Sequence, residues 1–237
     1  MRSGEGHFYD RYVLRQGGAE DEGRIGQMCR LLPADAASLL DVGCSDGRNL
    51  RVFRKRLPNA RLCGTDIGET MGEMLRAQGF EFVPADASRG LPFHDQSFDV
   101  VTCGEVIEHI FDPDTMLDDL RRVLAPNGVL IITTPNLAYL PNRVLLALGV
   151  QPIFSEVSLL RNYGRFHRVL GQGNEAQGHL RLFTLPALLE MLADHRFDIC
   201  GAFGYRWLHR GVVGVVDRLI AIRPSFAAGF VVAARRR

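Results

Sequence analysis

The sequence lacks the features that mark secreted, metal-stapled or membrane-spanning proteins. Its five cysteines are odd in number and widely spaced, and no Cys-x-x-Cys pair occurs, which argues against a disulfide framework, a zinc knuckle and a redox motif. The N-terminal residues contain no apolar core of a signal peptide. The most apolar late stretch, residues 211–222, is interrupted by Asp217 and Arg218 and is too short to cross a bilayer. We therefore expect a cytoplasmic protein with no membrane span.

An excess of charge of one sign is also missing. The 237 residues have a formal net charge of +1, so the overall charge indicates neither nucleic acid nor an acidic membrane surface as a partner. The composition is that of an ordinary globular protein, with 46% hydrophobic and 23% charged residues. We predict a single domain over residues 1–237, in which residues 1–36 form a helical cap. No motif specifies an oligomeric state.

Short apolar runs alternate with helical patterns from Ser38 onward, which is typical of a parallel sheet with crossover helices. The predicted strands are residues 38–43, 61–66, 80–85, 98–103, 129–133, 197–205 and 229–234. The segment 137–178 is too long for a plain connection, so we predict a substrate-side helical insertion after the fifth strand. We expect the late apolar residues 219–222 to pack against the sheet rather than against a membrane.

The strongest functional motif joins the first predicted strand to the helix that follows it. Residues 41–47 read Asp-Val-Gly-Cys-Ser-Asp-Gly, and such a turn places backbone N–H groups and a positive helix end around a ligand. Asp66 ends the second strand, where a carboxylate can hydrogen-bond both hydroxyls of a ribose. The nicotinamide fingerprint is not met, because Ser45 and Arg48 stand at two of its three glycine positions.

This motif, together with Asp66 and with Ala85-Asp86 at the next strand end, resembles the class I S-adenosylmethionine-dependent methyltransferases, including the small-molecule O-methyltransferases of ubiquinone biosynthesis. Residues 91–109 and 128–136 continue the resemblance. Ser45 departs from it, because the family has a middle glycine at this position. The resemblance implies a Rossmann-like, doubly wound α/β fold with a seven-stranded, mostly parallel sheet and an antiparallel last strand. It also implies S-adenosylmethionine as the cofactor.

The resemblance assigns the cofactor-binding residues to the ends of four strands. The methionine part would be surrounded by Asp41, Gly43, Cys44, Ser45 and Gly47 and closed by Cys103 and Gly104. The ribose would be bound by Asp66, and the adenine would contact Ile67, Asp86 and Ala87.

A second motif, Glu-Val-Ile-Glu-His, occupies residues 105–109. If it is helical, Glu105, Glu108 and His109 share one face at the carboxyl end of strand four, where ligands bind in open α/β sheets. By resemblance to small-molecule O-methyltransferases, His109 would lie beside the acceptor. By resemblance to the methyltransferases that cap small-RNA 3′ ends, Glu105, Glu108, His109 and His179 would bind Mg²⁺, Mn²⁺ or Zn²⁺. The third alternative is that these residues line the pocket without a metal.

The resemblance implies methyl transfer to a small-molecule or sugar acceptor, with a hydroxyl as the first choice, in bacterial glycan or secondary-metabolite biosynthesis. His109 and His179 are the candidate catalytic bases, because imidazole has a reference pKa of about 6.5. Two alternatives stay open. One is metal-assisted 2′-O-methylation of RNA ends, against which the near-neutral charge argues. The other is a non-catalytic, cofactor-binding regulatory protein.

Overall fold

A seven-stranded sheet organises the computed structural model, which describes residues 21–68, 70–165, 175–207 and 211–237. Its strands are β1 Ser38–Val42, β2 Arg61–Asp66, β3 Glu81–Pro84, β4 Phe98–Gly104, β5 Leu124–Pro135, β6 Phe197–Tyr205 and β7 Gly229–Arg236. They lie in the order β3-β2-β1-β4-β5-β7-β6, in which β7 is antiparallel to both of its neighbours and the other pairs are parallel. The predicted Rossmann-like α/β fold with an antiparallel last strand is confirmed.

Helices cover both faces of this sheet. They are α1 Asp21–Leu31, α2 Arg48–Arg56, α3 Thr70–Ala77, α4 Pro113–Val123, α5 Leu140–Ala147, α6 Leu185–Asp194 and α7 Gly211–Ile220, with a short 3₁₀ turn at Ile107–His109. Apolar side chains of α4 and α6 share one core cluster with the sheet, whereas those of α1, α2 and α3 belong to a second cluster. The sheet is therefore doubly wound, and both of its faces are covered.

Local sequence explains where several helices begin. The side chains of Asp112 and Thr184 cap α4 and α6 by accepting backbone N–H groups of the first turn, and a proline occupies that turn in each helix. Strand β5 is long and aliphatic at its centre, as expected of a strand that is buried between two neighbours.

The structure describes only parts of the predicted N-terminal cap and of the predicted insertion. Helix α1 lies within the cap, whose first twenty residues fall outside the described part of the chain, and α5 lies within the insertion. The expectation for residues 219–222 is wrong, because Leu219 and Ile222 are exposed. Helix α7 turns Asp217 inward toward Tyr139 and Trp207, and of this stretch Ile220 packs against a small cluster that contains Tyr139 and Phe154. Among the described residues, no helix is long and apolar enough to cross a membrane.

Candidate active site

The carboxyl ends of neighbouring parallel strands gather the predicted cofactor residues at one edge of the sheet. Strand β1 lies between β2 and β4, so the chain runs to opposite sides of β1 at this edge. Such a switch point opens the crevice in which open α/β sheets bind ligands. The loop 43–47 follows β1, residues 66–67 end β2, residues 86–87 follow β3 and residues 103–104 end β4.

The loop after β1 depends on its glycines. Gly43 and Gly47 have φ of 72° and 76°, a backbone region that side chains disfavour. A Cβ atom on Gly43 would come within 2.3 Å of Val106 Cγ2, and one on Gly47 within 2.1 Å of Leu75 Cδ2. Ser45 also has a left-handed backbone, with φ of 49°. The serine therefore adopts the conformation for which a middle glycine is suited.

Asp66 ties this loop to the end of β2. Its Oδ2 accepts a hydrogen bond from the Ser45 backbone N–H at 2.8 Å, and its Oδ1 accepts one from Gly68 at 3.2 Å. Asp86, after β3, accepts from the Ser88 backbone N–H. Both carboxylates thus lie where the family resemblance expects ribose and adenine contacts, and their binding roles stay predictions.

Asp41 lies beneath the loop and is fully buried. Its Oδ1 accepts hydrogen bonds from Thr102 Oγ1 at 2.7 Å and from Asn49 Nδ2 at 3.4 Å, whereas its Oδ2 has no hydrogen-bond partner in the described structure. Burial raises the pKa of this carboxyl group to about 6. A buried oxygen without a partner is unfavourable, and a donor group of a bound ligand or a bridging water would satisfy it.

The side chains of Cys44 and Cys103 are buried in the two core clusters. If these residues contact a cofactor, they therefore do so through their backbone atoms. Their thiols are poor nucleophiles, because burial raises the pKa of each thiol above its ordinary value.

Arg24 is a site residue that the sequence interpretation missed. It lies on α1, with Nη1 at 3.4 Å from Thr133 Oγ1, and a Cβ atom on Gly104 would come within 2.6 Å of the same nitrogen. Its charge is close enough to lower the pKa of Asp41 and of Glu108. No local motif marks this arginine, because only the packing of α1 against the sheet brings it to the site.

The predicted helical face of the second motif is wrong. Glu105 has a left-handed backbone, with φ of 57°, and only Ile107–His109 form a 3₁₀ turn. Glu105 Oε1 accepts hydrogen bonds from Thr133 Oγ1 at 2.7 Å and from the Tyr205 hydroxyl at 2.9 Å. Because of this turn, Glu105 lies outside the group formed by Glu108, His109 and His179.

Those three residues form a compact cluster. One potential ligand atom from each lies within 4.8 Å of the others, and the two imidazole rings are 5.1 Å apart. The Nδ1 atoms of His109 and His179 lie 3.0 and 2.9 Å from the carbonyl oxygens of Gly178 and Phe154, so each Nδ1 donates and each Nε2 keeps its lone pair. Glu108 is buried, and its Oε1 has no hydrogen-bond partner in the described structure.

The electrostatics of the cluster favour neutral groups. Burial, and secondly the neighbouring His179, lower the pKa of His109 to about 4. Burial, and secondly the Glu105 carboxylate, hold the pKa of Glu108 well above its usual range. A neutral imidazole can accept a proton from a hydroxyl or coordinate a metal ion, so the cluster suits either task.

The segment before His179 fixes this histidine in place. The Glu156 carboxylate accepts hydrogen bonds from the backbone N–H groups of Gln177 and Gly178, and Leu180 donates to the Glu108 carbonyl at 2.8 Å. Phe154 packs edge-on against His179 and against Trp207. These aromatic contacts were not anticipated residue by residue, although the insertion was expected to lie on the substrate side.

Comparison with known proteins shows a match to the methyltransferase domain family over residues 40–132. The trans-aconitate 2-methyltransferase of Enterobacter sp. (strain 638) is 31% identical over 50% of this chain and 47% of its own length. The ubiquinone biosynthesis O-methyltransferase of Psychrobacter arcticus is 32% identical over 41% of this chain and 40% of its own length. The chain thus spans about half, or less, of the curated relatives that it matches.

Solved structures share the fold over nearly the whole chain. A chain from the complex between the Haloferax volcanii Trm112 methyltransferase activator and a methyltransferase has a TM-score of 0.67, at 18% identity and 96% coverage of both chains. The Burkholderia thailandensis 1,6-didemethyltoxoflavin-N1-methyltransferase has a TM-score of 0.61, at 17% identity, covering 98% of this chain and 84% of its own. Residues 40–132 are thus similar to the methyltransferase domain family, and the whole described chain shares its fold with solved methyltransferase structures.

Proposed function

We propose that this chain transfers a methyl group from S-adenosylmethionine to a hydroxyl group of a small molecule or sugar, in glycan or secondary-metabolite biosynthesis. The observation that carries the proposal is the cluster of Glu108, His109 and His179 at the sheet edge that also holds the cofactor loop. A neutral imidazole beside a cofactor crevice is the group that a hydroxyl acceptor needs. The relatives named above as ubiquinone and trans-aconitate methyltransferases support a small-molecule acceptor.

The cofactor side offers a group for each part of the ligand. The Asp66 carboxylate would bind the ribose hydroxyls, and the Arg24 guanidinium would pair with the cofactor's carboxylate. The partnerless Oδ2 of Asp41 provides a buried acceptor near the amino group of the methionine part. When bound, the cofactor supplies a methyl group that its sulfonium already activates. The chain's own task on this side is to bind and orient.

On the acceptor side, the chain aligns the hydroxyl and receives its proton. Alignment contributes about 7–11 kcal/mol in favourable reactions, and general-base assistance adds about 10²- to 10⁴-fold in rate. The Nε2 atom of His109 or His179 is the proton acceptor in this proposal, because each Nδ1 is held by a carbonyl oxygen. Phe154 packs against His179 and Trp207 packs against Phe154, so these rings would help exclude water from this side of the cluster.

A second candidate uses the same residues as ligands of a divalent metal. The buried, partnerless Oε1 of Glu108 and the two Nε2 lone pairs form an N,N,O donor set that fits Mn²⁺ or Zn²⁺ and, less well, Mg²⁺. A bound metal would lower the pKa of an acceptor hydroxyl. This candidate includes 2′-O-methylation of RNA ends, and the net charge of +1 argues for a small acceptor instead.

The first experiment is calorimetric titration with S-adenosylmethionine and S-adenosylhomocysteine. We expect dissociation constants on the order of micromolar for the parent chain, weakened at least about tenfold by Asp66→Ala through loss of two ribose hydrogen bonds. Asp95→Ala is the control, because it removes the same type of side chain at an exposed position, and it should leave the affinity unchanged. A folded parent chain that binds neither ligand would overturn the methyltransferase proposal.

The second experiment measures turnover on a panel of hydroxylated small molecules and on RNA ends, with and without EDTA. Turnover that survives EDTA but falls at least about tenfold in His109→Gln supports the imidazole base. Turnover lost with EDTA and restored by Mn²⁺ or Zn²⁺, with cofactor affinity unchanged, supports the metal instead. Methylation of RNA ends alone would contradict the small-molecule acceptor, and cofactor binding without any turnover would favour a regulatory protein.

A further inference from the structure

Helix α7 presents its apolar side chains outward and its acid inward. Val212, Val215, Val216 and Leu219 follow the i, i+3, i+4, i+7 spacing of one helix face and are 49–79% exposed. Asp217, on another side of the helix, is 2% exposed. A helix that packs on a protein core normally has the reverse arrangement. The exposed face of α7 is therefore suited to contact something apolar outside the chain.

This inverted orientation is fixed by buried polar contacts. The Asp217 carboxylate accepts hydrogen bonds from the Tyr139 hydroxyl and from the Trp207 backbone N–H, both at 2.7 Å. Rotating α7 to bury its valines would expose this carboxylate and leave the buried tyrosine hydroxyl without its acceptor. The outward apolar face is thus a stable feature of the fold.

Helix α5, which begins beside Tyr139, also exposes aliphatic side chains, although its Leu145 is buried in a core cluster and Leu148 lies one residue beyond its end. Val144, Leu146 and Leu148 are exposed, whereas Asn142 is fully buried and its Nδ2 donates to the carbonyl oxygens of Leu137 and Ile153. The Tyr139–Asp217 hydrogen bond joins the two helices. We call their exposed aliphatic residues, with one residue that follows each helix, the apolar surface: Val144, Leu146, Leu148, Val212, Val215, Val216, Leu219 and Ile222.

The exposed charges in the segments that carry the apolar surface are mostly basic. Within residues 137–165, 205–207 and 211–228, the basic residues are Arg143, Arg161, Arg165, Arg206, Arg218 and Arg223, and the acidic ones are Glu156 and Asp217. Both acids face inward, since Glu156 binds backbone N–H groups and Asp217 is buried. Arg143 is held by carbonyl oxygens of Ala138 and Ser225. Arg165 turns inward and donates to the Ser155 carbonyl, and Glu175, whose carbonyl accepts from Asn162, is an exposed acid just outside these segments. An exposed apolar surface with a cationic surround is thus present although the whole chain is nearly neutral.

We propose that the apolar surface docks on an anionic phospholipid bilayer, with α5 and α7 in the interface and the arginines among the headgroup phosphates. Aliphatic side chains that enter the headgroup boundary and cations that attract acidic lipids are the two components of peripheral binding. A second copy of the chain is a poorer occupant, because a two-fold contact would bring arginines against arginines. This inference does not depend on the proposed reaction.

The test is co-sedimentation with phosphatidylcholine vesicles that contain or lack phosphatidylglycerol. The parent chain should bind the anionic vesicles, more weakly as salt rises, and bind the neutral ones less. Val216→Ser/Leu219→Ser should weaken binding about tenfold or more, and Arg218→Gln/Arg223→Gln should weaken it about fivefold per arginine. Met74→Ser, which changes an exposed apolar residue of α3 instead, should bind as the parent does.

Trp207 provides a second readout, because it is the only tryptophan in the chain and its backbone bonds to Asp217. Its emission should change on adding anionic vesicles to the parent chain and to Met74→Ser. Thermal melting of each variant checks that the fold is retained. Absence of vesicle binding by the parent overturns the proposal, as does equal binding by all variants. If the parent chain does not bind vesicles but forms a dimer, and Val216→Ser/Leu219→Ser dissociates that dimer, the apolar surface is an interface between two copies of the chain.

Discussion

The proposed cofactor side and the proposed acceptor side of this crevice are built in different ways. On the cofactor side, backbone groups make the structure: the loop 43–47 follows from glycine conformations, and the Gly43 and Cys44 N–H groups both bond to the Thr65 carbonyl. On the acceptor side, buried polar side chains make it. Asn136 donates to the carbonyls of residues 225 and 227, and Asn142 joins residue 137 to residue 153.

This difference explains which side of the crevice can be predicted from the sequence. A backbone-built loop needs particular residues at adjacent positions, so it leaves a local motif. A side chain that bridges segments far apart along the chain needs only one suitable residue at each end, so it leaves no motif. The fold of the acceptor side should therefore depend on single buried polar side chains, while the fold of the loop 43–47 should tolerate changes that keep its backbone path.

The largest expected effect is that of Asp217→Ala on the acceptor side. The substitution leaves the Tyr139 hydroxyl and the Trp207 N–H buried without an acceptor, so we expect the free energy of unfolding to fall by about 2–5 kcal/mol. Urea denaturation measures this loss. Calorimetry below the melting temperature should find cofactor affinity unchanged, because the hydrogen-bond partners of Asp217, Tyr139 and Trp207, are not part of the loop 43–47.

Tyr139→Phe is the matched control, since it removes one hydroxyl of the same pair and keeps the ring. We expect it to cost about 1 kcal/mol, plus the penalty of an Asp217 oxygen that loses a donor. A cofactor affinity that falls in parallel with stability in both variants would show that the two sides are not independent, and would contradict the comparison.

The second expected effect concerns how the free energy of unfolding depends on pH through Asp41, on the cofactor side. Burial raises the pKa of Asp41 to about 6 in the folded chain, above its ordinary value of 3.8. The contribution of Asp41 to stability therefore falls as pH rises from about 4 to about 6 and stays reduced above that, by about 3 kcal/mol at most. The lowered pKa of His109 contributes in the opposite direction, so the Asp41 contribution is the difference in stability between the parent and a variant that cannot ionise at this position. Asp41→Asn cannot ionise, keeps an acceptor for Thr102 and should remove this fall.

Urea denaturation between pH 4 and pH 8 tests the expectation. At pH 8 the variant should be more stable than the parent by as much as about 2 kcal/mol, since part of the gain is offset by a buried amide N–H without a partner. Cofactor binding should weaken at the same time, because the partnerless Oδ2 has been replaced. A difference in stability between the variant and the parent that does not grow from pH 4 to pH 6 would exclude a raised pKa at Asp41.

Most of the sheet could be predicted because its signals are local. Strands β2 and β6 occupy the predicted residues 61–66 and 197–205, and the other predicted strands differ from those of the structure mainly at their ends. Buried parallel strands are continuous apolar runs between turn residues, so each run identifies its own strand. Likewise, the expected meeting of His109 and His179 came from a family resemblance and is seen as two rings 5.1 Å apart.

The errors concern orientation, which local patterns do not specify. The Glu105–His109 spacing suits a helix, but the left-handed backbone of Glu105 turns its carboxylate toward Thr133 and Tyr205. The apolar face of α7 predicts burial, but the buried carboxylate of Asp217 fixes the opposite face inward. In both cases a hydrogen bond to a distant residue overrides the local pattern.

The smallest expected effect tests whether the departure at Ser45 matters. Ser45 has φ of 49°, a conformation that is unfavourable for residues with a Cβ atom by about 1–2 kcal/mol, and glycine adopts it freely. Because glycine also gains more entropy in the unfolded chain, Ser45→Gly should stabilise the fold by at most about 1 kcal/mol. The Ser45 N–H that bonds to Asp66 is a backbone group, so the substitution retains it.

Cofactor affinity should therefore change by less than about fivefold in Ser45→Gly, with tightening as the expected direction if the freed space lets the ligand approach the backbone. Gln96→Gly is the matched control, because Gln96 is exposed, has φ of 57° and lies outside the loop 43–47. It should stabilise the fold by a similar amount and leave affinity unchanged. A large loss of affinity in Ser45→Gly alone would mean that the serine hydroxyl binds the cofactor, and that the loop 43–47 itself contributes a side chain to binding.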